Sequence, residues 1–169
     1  NDVLFWNKIK GNMFCPYMDA KGGLADNFAG TVPTTKLYPA FLLEFFLKYM
    51  NPLEKSSSNS DNNNKGYTLK LPLERDQLLP VVAASDVGSM VVAIFQDDST
   101  IGTTMGVTSE TLTPVAMAHQ LSQVLNNVPI SYQKCTEEDF AKRALPADWE
   151  LCNVFKYISH DSKYALRRK

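Results

Sequence analysis

Tyr17 and Lys21 stand four residues apart, and on a helix that spacing puts two side chains on one face about one turn apart. A phenol titrates near 10, so it serves as proton donor or acceptor at neutral pH only beside a cation, which a lysine ammonium supplies. The alternative is a solvated lysine at a helix start beside an unrelated tyrosine. Asp86, in Ser85-Asp86-Val87-Gly88, precedes an apolar periodic run and reads as a helix cap rather than a catalytic acid. His119 and His160 have no second His, Cys or carboxylate at ligand spacing, so no metal site is expected. Cys15, Cys135 and Cys152 are odd in number, far apart and without a Cys-x-x-Cys spacing, which argues against both a disulfide framework and zinc. No Gly-x-Ser-x-Gly or Cys and His signature of a hydrolase is present. Trp6, Trp149, Phe41, Phe45 and Phe46 read as packing.

These side chains need a scaffold, and the chain is long enough to build one. Its 169 residues, 44% hydrophobic and 21% charged, suit a globular domain with a sizeable core rather than a disordered chain. Seventeen basic against eighteen acidic residues leave a net charge of −1, so no long-range field favours nucleic acid or an anionic membrane. The basic tail Arg167-Arg168-Lys169 reads as a solvated end. Nowhere do the roughly eighteen consecutive apolar residues of a membrane span come together. The expectation is a soluble intracellular protein of the cytoplasm, with the nucleus as a second location. No Met opens the chain and residues 3–6 are already strand-like, which suggests missing upstream sequence.

Along the chain the pattern is that of alternating α and β elements. A strand is expected at residues 3–6, a helix interrupted by Gly22-Gly23 at 19–29, a short buried strand at 35–39, and a helix apolar nearly all round at 41–50. Residues 55–66 are almost all Ser, Asn, Asp and Lys and read as a mobile surface insertion before a strand at 67–71. Asp86 is expected to cap a helix whose stripe Val87, Met90, Val91 and Ile94 is core. A strand within 101–107 follows. Thr113 then caps a helix with Pro114 at its first position and Val115, Ala118, Leu121 and Leu125 facing inward. A strand at 128–132, a capping box of Thr136 with Asp139, and an amphipathic helix at 148–158 complete the reading.

Two stretches, Pro16-Tyr17-Met18-Asp19-Ala20-Lys21 and Leu37-Tyr38-Pro39-Ala40-Phe41-Leu42-Leu43-Glu44, resemble consecutive segments of NmrA-like proteins, atypical relatives of the short-chain dehydrogenases. Leu71-Pro72-Leu73, Ser85-Asp86-Val87-Gly88, Leu112-Thr113, Glu138-Asp139-Phe140 and Leu151-Cys152-Asn153-Val154-Phe155 follow in the family's order. The resemblance implies an α/β fold: the last strands of a partial Rossmann-like nucleotide domain plus a smaller α/β carboxy-terminal lobe, with NADP or NAD across the crevice between them. On that basis residues 1–53 are the remnant of the nucleotide domain, 54–66 the insertion and 67–169 the lobe. A complete member opens with a strand, a glycine-rich turn and a helix that receives the pyrophosphate. Gly22-Gly23 and Gly102 to Gly106 lack that spacing, so the chain looks like a carboxy-terminal half unable to hold a dinucleotide alone.

The same resemblance assigns candidate residues. Asp19-Ala20-Lys21 is similar to the family's Asp-Ser-Lys, which implies a Lys21 ammonium on the nicotinamide ribose. Pro39, Ala40, Phe41, Leu42 and Leu43 match the loop whose backbone and aromatic ring lie along the nicotinamide, an ordinary strand-to-helix junction being the alternative. The family's Glu-Asn is here Glu44-Phe45, which removes a side-chain amide. Tyr17 with Lys21 matches the Tyr-x-x-x-Lys of active short-chain dehydrogenases, although NmrA-like proteins do not typically hold a catalytic tyrosine there. Three functions compete: a NAD(P)-binding redox-sensing regulator acting through a protein partner without turnover, an NADPH-dependent oxidoreductase using Tyr17 and Lys21, and a cofactor-free interaction module. The last predicts oligomers or a partner, because unburied faces and strand edges associate.

Overall fold

The computed structural model describes residues 15–29, 31–46, 53–55, 66–142 and 148–160. The strand expected at 3–6 and the basic tail lie outside them. Helix α1, Pro16–Phe28, opens with proline at its first turn, where the missing N–H removes no intrahelical bond. It starts earlier than expected and runs unbroken through Gly22 and Gly23. Cys15 and Met18 turn toward the core, whereas Leu24 and Phe28 are exposed.

Strands β1 (Lys36–Pro39) and β2 (Phe41–Leu42) follow, then a single helical turn α2 (Leu43–Phe45). The helix expected at 41–50 is therefore corrected at its start, and residues 47–50 lie outside the described set. The reason is tertiary: Phe41 and Leu42 align with Val81 and Val82 of a parallel neighbour, and a short run that is apolar on every side has no period to choose helix over buried strand.

The remaining strands are β3 (Leu53–Lys55), β4 (Tyr67–Leu71), β5 (Leu79–Val82), β6 (Thr104–Val107), β7 (Glu110–Leu112) and β8 (Ile130–Lys134). The helices are α3 (Ala84–Phe95), α4 (Pro114–Val124), α5 (Glu137–Ala141) and α6 (Asp148–His160), with a 3-10 turn at Asp98–Thr100. β1 pairs with β6 in parallel, Lys36 opposite Thr104 and Pro39 opposite Val107. β2 pairs in parallel with β5, which takes β7 antiparallel on its other side. β4 lies between antiparallel β3 and parallel β8. Residues 54 and 55 thus belong to a strand rather than to the insertion, because Lys55 sits opposite Tyr67 in a ladder. β5 and β6, from the stretch assigned by resemblance to the lobe, pair with β2 and β1.

The main core gathers Leu69, Leu71 and Leu73, Leu79 and Val81, Met117 and Ala118, Phe140, and the buried face of α6. Phe155 of α6 is fully buried, with ring centroids 5.3 Å from Phe140 and 6.0 Å from Phe41. Tyr132 is buried too, and its hydroxyl donates to the carbonyls of Leu71 (3.0 Å) and Leu73 (2.5 Å). That satisfies a polar group that would otherwise cost of the order of 1–3 kcal/mol to bury.

Two helix faces depart from expectation. The α3 stripe Val87, Met90, Val91 and Ile94 is only half-buried, with Val87 and Met90 packed on Ala40, Val82 and Val107. No residue of α3 is fully buried. In α4 the inward residues are Pro114, Met117 and Ala118, while Val115 is exposed and Leu125 ends the helix. The cap is as expected, the Thr113 hydroxyl accepting from the Ala116 amide at 3.2 Å. Thr136 caps α5 in the same way, at 3.0 Å from the Asp139 amide, and the Asp139 carboxylate pairs with Lys142 and also bonds the Thr136 side chain.

Candidate functional site

β1 runs parallel to β6 and β2 parallel to β5, and hydrogen bonds join the segments 39–44, 83–86 and 107–109 at the ends of these strands. Backbone bonds knit this edge: the Ala40 amide donates to the Val107 carbonyl at 2.8 Å, and the Ser109 amide to the Val81 carbonyl at 2.9 Å. α3 begins there. Its cap residue, Ala83, has no side-chain cap to offer. Two distant side chains serve instead: Glu44 Oε1 accepts from the Ala84 amide at 2.9 Å, and Ser109 Oγ accepts from the Ala83 amide at 3.3 Å.

Asp86 is therefore not the cap. It lies within the first helical turn, where its carboxylate accepts from the hydroxyls of Ser109 and Ser85. A carboxylate in a first turn is still favoured by the helix dipole. Glu44 and Ser109 were missed in the sequence, since forty residues separate Glu44 from Ala84 and only a fold can join them.

The candidate residues fall on two elements. Tyr17 and Lys21 share α1, four residues apart as expected, and Lys21 is exposed one turn from the core-facing Met18. Of Tyr17 only the helical backbone is described. Pro39 is exposed and Leu42 is 38% exposed, whereas Ala40 is buried against Val82 and Val107. The Phe41 ring turns inward, with centroids 5.2 Å from Phe46 and 6.0 Å from Phe45 and Phe155. Leu43 is half-buried on the same core as Cys15 and Met18, so the first turn of α1 and the 41–43 segment pack on one cluster.

This edge can offer exposed backbone and an apolar surface at Pro39 and Leu42, which suits one face of a flat ring. It offers no phosphate cradle. The α3 amides at Ala83 and Ala84 already have acceptors, and the α4 terminus is capped by Thr113. Two cavities, of about 220 and 290 Å³, lie elsewhere: one along β4 and β8 near Lys70 and Cys135, one at the amino ends of β1 and β6 near Val32 and Thr103. Neither is lined by a candidate residue. Among the described residues no group of His, Cys, Asp or Glu could hold a metal ion, and no helix is long and apolar enough to cross a membrane.

Comparison with known proteins agrees with the fold. NmrA, a negative transcriptional regulator solved in complex with NAD, superposes with a TM-score of 0.61 at 21% identity, over 80% of this chain and 43% of its own length. A nucleoside-diphosphate-sugar epimerase from Staphylococcus aureus gives a TM-score of 0.61 at 17% identity, over 93% of this chain and 56% of its own. At such identities the likeness establishes the fold, a mixed α/β arrangement with parallel strands. The chain thus spans about half the length of these solved relatives. No curated protein matches it. The NmrA-like family matches over residues 28–166, a span that contains the strand-end segments and both distant caps of α3. The chain belongs to the NmrA-like family.

Proposed function

We propose that this chain is the carboxy-terminal part of a regulator that binds NADP or NAD and signals redox state to a protein partner without turnover. The observation that carries the reading is the edge where the segments after β1, β2, β5 and β6 meet, since open parallel sheets bind ligands outside the carboxy ends of their strands. The NAD held by NmrA itself supports a dinucleotide as that ligand. In this reading residues 39–43 lie along the nicotinamide, with Pro39 and Leu42 presenting surface and Phe41 holding the segment from behind. The Lys21 ammonium donates to ribose hydroxyls. A dinucleotide supplies the redox-sensitive ring, and the pyrophosphate is bound by a glycine-rich segment outside this chain. Sensing then requires only that the partner prefer one state of the protein to the other. The localisation that goes with this reading is the cytoplasm, or the nucleus if the partner acts there.

Calorimetric titration of NADPH and NADP into this chain and into a longer form carrying an upstream glycine-rich half tests the proposal. Binding by the longer form alone, weakened about tenfold by Lys21→Met, is the expected result; loss of one ribose contact of about 1.4 kcal/mol gives that factor. Binding by neither form would turn the assignment to a cofactor-free interaction module. Tyr17 and Lys21 on one helix also permit a reductase. NADPH oxidation against a panel of carbonyl compounds, abolished by Tyr17→Phe, would favour that enzyme over the regulator.

A further inference from the structure

We infer that Glu44 is a positioning residue for the 39–43 segment, an inference that rests on the nicotinamide-side reading above. The chain leaves β2 at Leu42, makes one helical turn, and is held there by the Glu44 carboxylate on the Ala84 amide at 2.9 Å. That bond is charge-assisted and joins two strand-end segments at the start of a twelve-residue helix that has no side-chain cap of its own. On the other side Ala40 is fixed to Val107 through its amide. The segment from 40 to 44 is thus pinned at both ends, which holds the exposed Leu42 surface in place before a ring arrives. Pre-positioning of this kind lowers the ordering cost of binding.

The test uses the longer form that binds, with Glu44→Ala, Glu44→Gln and, as a stability control, Thr113→Ala. Thr113 caps α4 and belongs to no part of the site. Expected is about a tenfold loss of NADPH affinity in Glu44→Ala, equivalent to about 1.4 kcal/mol, with most of it restored in Glu44→Gln, which keeps a neutral acceptor. Thr113→Ala should lower the unfolding temperature without changing affinity. Amide exchange at Ala84, read without ligand, should quicken in Glu44→Ala alone. Wild-type affinity in Glu44→Ala, or an equal loss in Thr113→Ala, overturns the inference while leaving the dinucleotide reading intact. Failure of the unmodified long form to bind overturns that reading and this inference with it.

Discussion

Burial pushes the Cys15 thiol up to about 11 from an ordinary 9.0, with the nearby Glu150 and Asp19 carboxylates adding to the rise. The same cause takes the Tyr132 phenol to about 12. Both groups are neutral when protonated, so the folded state holds its protons more tightly than the unfolded one. Their contribution is fully present below pH 9 and is lost as pH rises through 11 for Cys15 and through 12 for Tyr132. Each raised pKa corresponds to no more than about 3 kcal/mol. Urea midpoints should therefore fall more steeply above pH 9 than those of Cys15→Ala, and parallel curves for the two proteins would refute the assignment. The burial of Cys15, only 1% exposed, could not be read from its sequence surroundings, because its thiol meets Glu150 of α6 and it joins a core cluster drawn from distant elements. The Tyr17–Lys21 spacing could, since it is local to one helix.

Glycines separate element from element by their surroundings. Gly23 in α1 and Gly88 in α3 are exposed, helical and have nothing within 4 Å of where a Cβ would stand. Replacing either by alanine should stabilise the protein by about 0.5–1 kcal/mol, through the lower entropy of the unfolded chain. Gly102 has equally open space but a φ of 81°, so Gly102→Ala should cost about 1–2 kcal/mol. Denaturant titration of the three variants checks both signs at once. Local signals served well wherever the deciding partner was near in sequence: the caps at Thr113 and Thr136, and proline opening α4. They failed at 41–42 and at the start of α3, where strand pairing and Glu44 decided from a distance.

At the scale of the molecule, α3 buries no residue fully. Val92 is 57% and Phe95 85% exposed, and Leu24, Phe28, Val32 and Ile101 add further apolar surface. Exposed groups of this kind associate when their area is contiguous. Sedimentation should show concentration-dependent self-association of this chain, reduced in the double variant Val92→Ser, Phe95→Ser. A single monomeric species at all soluble concentrations would show that the surface is too dispersed to drive association.

The sequence by itself determined the α/β class, the helices at 16–28, 84–95, 114–124 and 148–160 to within a few residues, and the family, because periodicity, capping and motif order are local properties of the chain. Tertiary structure alone decided that residues 41–42 run as a strand beside β5 rather than as a helix, and that Glu44 and Ser109 cap α3. In each case the choice rests on a hydrogen bond or a packing contact between residues tens of positions apart, and such partners leave no mark in the spacing of either one.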